Sequence, residues 1–487
     1  MSALNWNFDN SYLQLPEKFY TKIAPVSVKD PSLFLFNDRL AEDLGLKKSD
    51  ADESALAALF AGCEIPDNTE PLAQAYGGHQ FGHFTMLGDG RAVLLGEHLT
   101  KDQKRFDIQF KGSGRTRYSR GGDGRATLYS MLREYLISEA MHRLGIPTSR
   151  SLAVATTGED VYRETMHPGA VLTRVMSSHI RVGTFEFAIR FTSKEALKKL
   201  LNYTVDRHDP DLSDKPDSEQ ALGLLKRVCE RQASLITEWM RVGFIHGVMN
   251  TDNTGIPGET FDYGPCAFMN AYDPQTVFSS IDALGRYSFG NQPRIGQWNM
   301  AVLAGSLVPL ISEDAEEAKE AAQEVVNSFA DTFTGKWNRM MASKIGFPET
   351  GDPQKKLVET LLEWMKTRKA DYTNTFRMLA SDADPEGTVY NSSSFREWKS
   401  DWESALGDAG ISFADAAERM NRVNPAVIPR NHLVENALES AANDKNMAPF
   451  NSLLEQLENP YPGKTDPEVL QDVPVKYDMH YRTYCGT

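Results

Sequence analysis

Phe244-Ile-His-Gly-Val-Met-Asn-Thr-Asp-Asn253, followed by Thr260-Phe-Asp-Tyr-Gly-Pro265, is the stretch that decides the reading of this chain. It lies in a glycine-rich segment, 243–264, directly after the clearest helical pattern of the sequence, Ala221 to Val242. Asn253 and Asp262 carry the hard oxygen atoms that a nucleotide-bound Mg²⁺ takes as ligands.

The spacing sharpens that reading. A protein-kinase catalytic loop, H-R-D-L-x-x-x-N, separates its His and Asn as His246 and Asn253 are separated here, and Asp262-Tyr-Gly264 stands where Asp-Phe-Gly would follow. The slot of the kinase catalytic Asp is filled by Val248. Valine can neither accept a proton nor orient a hydroxyl, so by kinase logic the site binds Mg-ATP and lacks its base. Asp252 is the nearest carboxylate that can stand in; otherwise it is a turn residue.

Working towards the N-terminus, Phe106, Ile108 and Phe110 alternate with Asp107, Gln109 and Lys111, which predicts a strand with Lys111 on its polar face. Thr127 to Leu144 has the helical period, is stopped by Gly145-Ile-Pro147, and carries Glu134 on its less apolar side. A strand lysine and a carboxylate on the following helix are the pair that kinases use to hold nucleotide phosphates; a solvent-facing lysine is the plain alternative. Leu87-Gly-Asp-Gly-Arg91 is a glycine turn running into the strand Ala92–His98, but Val93 takes the place of a third phosphate-loop glycine. Arg174, in the apolar strand pattern Leu172-Thr-Arg-Val-Met176, needs a partner, either a salt bridge or a triphosphate shared with Arg181 and Lys111. His79 and His83, in Gly78-His-Gln-Phe-Gly-His83, sit among glycines that argue against the helix a zinc motif needs. Between Ser312 and Met341 the pattern is a long helix with Ser312 as N-cap.

Composition bounds the rest. The 487 residues allow about three domains or one large enzyme with an extension. A net charge of −15 disfavours wholesale binding to nucleic acid or an anionic membrane. The four cysteines, at 63, 229, 266 and 485, form no C-x-x-C pair, which suits a reducing compartment. The most apolar stretch, Met300 to Ile311, is too short for a membrane span, and the first residues have no signal-peptide pattern, so a cytoplasmic location is expected.

Several runs together resemble the selenoprotein O family: Gly77-Gly-His-Gln-Phe-Gly82, Leu87-Gly-Asp-Gly-Arg91, Tyr118-Ser-Arg-Gly-Gly-Asp-Gly-Arg-Ala126, Val161-Tyr-Arg-Glu-Thr165, His246–Asn253, Asp262-Tyr-Gly-Pro265, Gly285-Arg-Tyr-Ser-Phe289 and Asn291-Gln-Pro293. The resemblance implies a kinase-like fold without the usual catalytic Asp, binding ATP in a flipped orientation so that AMP is transferred to protein hydroxyls. It implies nucleotide contacts from Gly88, Gly90, Arg91, Lys111, Asp123, Gly124, Arg174, Arg181 and Asp262. It also implies Asp252 as proton acceptor, Asn253 and Asp262 as Mg²⁺ ligands, and Glu134 as the partner of Lys111. Cys485 is similar to a position that is selenocysteine in some members and forms a disulfide there. Its partner segment reads Val277-Phe-Ser-Ser280 here, without cysteine, and Cys266 is a substitute on sequence grounds alone.

The expectation is therefore an α+β chain with a bilobal kinase-like fold: an N-terminal extension (1–70), an N-lobe (71–165), a C-lobe (166–340) and a helical C-terminal extension (341–487). The expected activity is a protein adenylyltransferase using ATP with Mg²⁺, or Mn²⁺, on Ser, Thr or Tyr of protein substrates. The alternatives are a uridylyltransferase using UTP with manganese, or a non-catalytic ATP-binding scaffold. The oligomeric state is left open.

Overall fold

A computed structural model describes residues 4–47, 52–381, 389–461, 473–474 and 477–484. The strands are β1 (Phe8–Asp9), β2 (Tyr20–Lys22), β3 (Ser32–Phe36), β4 (Leu72–Gln74), β5 (Gly77–Gln80), β6 (His83–Met86), β7 (Ala92–Leu99), β8 (Arg105–Lys111), β9 (Ala126–Thr127), β10 (Arg150–Tyr162), β11 (Met166–Met176), β12 (Phe244–Ile245) and β13 (Ala267–Phe268). Among the described residues, nine of them form one antiparallel sheet in the order β2-β4-β7-β8-β11-β10-β3, with β1 on β7 and β9 on β11. The first seventy residues supply the strands at both ends of that order.

Period-two alternation gives the sheet two different faces. Ile108, Phe110, Val171 and Val175 point into a core with Leu40 of α1 (Asp38–Asp43) and Leu56 and Phe60 of α2 (Glu53–Phe60). The N-terminal segment, which carries no chemical motif, thus covers the apolar face of the strands that carry one. Asp107, Gln109 and Lys111 point the other way and are buried as well. The polar face of β8 is an interior ionic surface, because helices pack over it.

The first of these is α3 (Leu128–Arg143), whose N-cap Thr127 accepts from Ser130 N and whose last turn holds His142 and Arg143, favourable at the negative end of a helix. Helices then dominate: α4 (Val182–Phe191), α5 (Lys194–His208), α6 (Asp217–Arg241), α7 (Gln292–Ile311), α8 (Ala315–Lys344), α9 (Asp352–Arg368), α10 (Tyr372–Leu379), α11 (Ser393–Asp408), α12 (Phe413–Val423), α13 (Asn431–Asn443), α14 (Ala448–Leu457) and α15 (Tyr477–His480). The architecture is α+β, as the mixed periodicities predict. No helix among the described residues is long and apolar enough to cross a membrane.

The expected N-cap of the long helix is corrected. Asp314, not Ser312, caps α8 through bonds from Glu316 N and Glu317 N. Ser312 ends α7, and its hydroxyl accepts from Asp314 N. Ser and Asp cap about equally well, and Ser312 is already taken up by the end of α7.

Candidate active site

Strands β12 and β13 pair antiparallel, Phe244 with Phe268 and Ile245 with Ala267, and so close the loop 246–266 on itself. The His246 ring bonds the Phe261 carbonyl at 3.2 Å, and the Asn253 amide donates to the Val248 carbonyl at 3.1 Å. Val248 itself is buried.

Lys111 ends β8 against this loop. Its ammonium contacts Glu134 of α3 and lies 2.5 Å from Asp262 Oδ1. Arg174 is opposite Gln109 in the β8–β11 register, so it shares the face of Lys111; it reaches Glu134 Oε2 at 2.7 Å and Asp262 Oδ1 at 4.0 Å. Burial pushes both carboxylates up, but Lys111 and Arg174 hold Glu134 below its ordinary range, and Lys111, Arg174 and Arg91 do the same to Asp262. Burial draws Lys111 down while the two carboxylates oppose that. These are ionic groups kept ionic by one another. Asp262 also has φ +67°, a left-handed conformation that an L-residue other than Gly adopts at a cost of roughly 1–2 kcal/mol.

Asp252 is different. It is buried, Oδ1 has no hydrogen-bond partner among the described residues, and burial raises its pKa to about 7, with Arg181 opposing and Asp262 and Glu186 assisting. Arg181 donates to the Asp252 backbone carbonyl at 3.0 Å, not to its carboxylate, and is sandwiched between the rings of Tyr76 and Phe261 at 4.0 and 5.0 Å. Its raised pKa and unpartnered oxygen set this carboxyl apart from Glu134 and Asp262, which neighbouring cations hold below their ordinary range.

A model of the family described as "Protein adenylyltransferase SelO" matches residues 2–458. A protein nucleotidyltransferase YdiU of Nitrosococcus oceani is 51% identical over 484 residues, covering 99% of this chain and 98% of the relative. Its counterpart in Geobacillus kaustophilus is 52% identical over 482 residues, 99% of each chain. The chain belongs to the SelO family.

The residues that the SelO resemblance implies are not all in one place. Lys111, Glu134, Arg174 and Asp262 meet directly, and Arg91 acts on two of them. Gly88 and Gly90 pack on Tyr118 so closely that a Cβ at either would collide with it. Asp123 turns instead to Arg163, 2.8 Å away, and Gly124, at φ +69°, lies against the backbone of Gly114. Cys485 lies outside the described residues. Thr483 pairs with Ser279, so the described end of the chain runs beside the segment without cysteine. Cys266 is buried, its thiol pushed up to about 12 by burial and bonded to the Tyr263 carbonyl.

The sequence does not announce how the Gly77–Met86 hairpin docks here in this SelO member. His79 N donates to Thr251 Oγ1 at 2.7 Å, Phe81 N to Asn250 Oδ1 at 3.3 Å, and the His79 ring faces buried Glu186 of α4. A Cβ on Gly78 would strike the Asp252 carboxylate, which is the reason for glycine at that position. The paired glycines at 77 and 78 are the signal that could have revealed the close approach.

Proposed function

We propose that this chain transfers AMP from ATP to hydroxyl groups of protein side chains and releases pyrophosphate. The observation that carries the reading is the contrast between Val248, which leaves a kinase without its base, and Asp252, the buried carboxyl with an unpartnered oxygen beside Asn253. Membership of a family of protein adenylyltransferases, and relatives named protein nucleotidyltransferases at about half identity over the full length, support the same reaction class. The finer reading of the fold is a bilobal kinase-like unit, with lobes at 71–165 and 166–340 flanked by the extensions 1–70 and 341–487.

In this reading Asp252 takes the proton of the acceptor Ser, Thr or Tyr as its oxygen bonds to the α-phosphorus. The bond from that phosphorus to the α–β bridging oxygen breaks, and pyrophosphate leaves. Lys111, Arg91, Arg174 and Arg181 bind the phosphates; Gly88, Gly90, Asp123 and Gly124 frame the nucleotide; Glu134 holds Lys111 in place. The donor set fits a hard divalent cation: one amide oxygen, from an Asn253 whose amino group is tied to Val248, and one carboxylate, from Asp262. Mg²⁺ is commonly held by one or two such groups together with substrate phosphates. Mg²⁺ or Mn²⁺ bound there would offset the phosphate charge. The protein partners are met in a reducing, cytoplasmic setting, and neither nucleic acid nor membrane is part of the reaction.

Mass spectrometry of protein incubated with equal ATP and UTP tests this. Adenylyl adducts on Ser, Thr or Tyr are expected; phosphoryl adducts alone contradict it, uridylyl adducts alone favour the UTP reading, and tight ATP binding without any adduct favours a scaffold.

A further inference from the structure

Asp262 keeps its left-handed backbone although a non-glycine residue is disfavoured there, so something must over-determine the chain that follows it. From Gly264 to Asn270 five of the seven residues are held by a side chain from elsewhere in the chain. Arg133 Nε donates to the Gly264 carbonyl at 3.0 Å, and its Nη2 to the Cys266 carbonyl at 2.6 Å. Thr483 Oγ1 donates to the Pro265 carbonyl at 2.7 Å. Asn431, the first residue of α13, spans Phe268, accepting from its N–H at 3.0 Å and donating to its carbonyl at 2.8 Å. Asp478 accepts from Asn270 N at 3.0 Å.

Arg133 is central to this set. It precedes Glu134 on α3 and is buried. Its remaining Nη1 meets Glu435 of α13 at 3.0 Å, the one carboxylate against it among the described residues. Glu435 is in turn gripped by the hydroxyls of Tyr129 and Tyr481. One guanidinium therefore ties together the helix that carries the partner of Lys111, the backbone behind Asp262, helix α13 and the chain end.

We propose that Arg133, anchored by Glu435, is a positioning residue that fixes Asp262 relative to Glu134 and Lys111. Helix α13 and the described residues 477–483 then belong to the nucleotide-transfer machinery and are not an independent appendage. This rests on the reading of Asp262 as a site residue. Loss of the clamp should misplace Asp262 without removing any group that touches nucleotide, and a displacement of even ~1 Å near the reacting atoms costs up to about 100-fold in rate.

The test compares Arg133→Gln and Glu435→Gln with Leu438→Ala, a buried α13 residue that packs in the core. Hydrogen exchange of amides 262–268, AMP transfer and ATP affinity without metal are measured on folded protein. Both clamp variants should exchange those amides about tenfold faster and lose about tenfold in kcat, with metal-free ATP affinity within about twofold. Leu438→Ala should lower the melting temperature while leaving all three readouts alone. If Arg133→Gln does not fold, Glu435→Gln carries the test. Unchanged exchange at 262–268 and unchanged kcat in Glu435→Gln would overturn the proposal. If Asp262→Ala retains full transfer, the site reading fails instead, and the exchange data by themselves still decide whether the clamp holds the loop.

Discussion

Strand β8 carries two ionic clusters on one face, at Asp107 and at Lys111, and they differ in what is left over. Around Asp107 both carboxylate oxygens are taken: Oδ2 accepts from His179 N at 2.7 Å and Nδ1 at 3.0 Å, and Oδ1 from Arg207 at 2.5 Å, although the buried His179 Nε2 has no partner among the described residues. Arg207 also reaches the Ser177 carbonyl and Tyr203. The Asp107, His179 and Arg207 side chains are at most 5% exposed. Around Lys111 the Asp262 side chain is 34% exposed, its backbone is left-handed, and nearby Asp252 has an oxygen with no partner. A buried network whose carboxylate oxygens are all taken specifies the packing of sheet on helix. A network of the same residue types with spare oxygens and a way out to solvent is a place for a ligand.

If the clusters differ in this way, Asp252→Asn should have the largest effect. Transfer should fall by about two to four orders of magnitude, the usual range for a general base. Stability at pH 8 should hold or rise, since a buried carboxylate with a raised pKa is removed. Equal losses of activity and stability would erase the contrast. Asp107→Asn should do the reverse: chemical denaturation should show a loss of about 3–5 kcal/mol, as for a buried pair stripped of one partner, with transfer per folded molecule intact. Asp262→Ala should lower transfer about 10²–10³-fold, with a stability loss smaller than that of Asp107→Asn because Glu134 still pairs with Lys111 and Arg174, and chelation of divalent cations should abolish transfer.

Acid provides the smallest test. Burial lowers His179 to about 4 and His208 to about 3, so both are neutral in the fold and take up protons on unfolding. The unfolded chain binds those protons first, so stability present near pH 7 is lost as pH falls from about 6.5 towards 4. His179 alone accounts for about 3 kcal/mol of that loss, and His179→Gln should flatten the curve correspondingly.

Much of this was legible along the chain because it rests on local pattern. The period-two stretch before Lys111 and the helical period around Glu134 lead to a strand and a helix found where they were expected. The other determinants are pairings between distant positions. Arg133 reads as one more helix cation until Glu435, 302 residues later, is placed beside it. Glu186 is unremarkable until the hairpin of His79 folds onto it, and the first seventy residues gain a purpose only when α1 and α2 cover Ile108 and Phe110. Ser312 and Asp314 are both competent caps, and only the end of α7 decides between them.

The central claim is that the site works at the α-phosphate because Val248 replaces the kinase base. It is tested most directly by incubating the protein and its Val248→Asp variant with Mg²⁺ and either α-labelled or γ-labelled ATP. Protein labelled from the α position only is expected, with pyrophosphate released, and little change in Val248→Asp. Label from the γ position alone in the unaltered protein would contradict it.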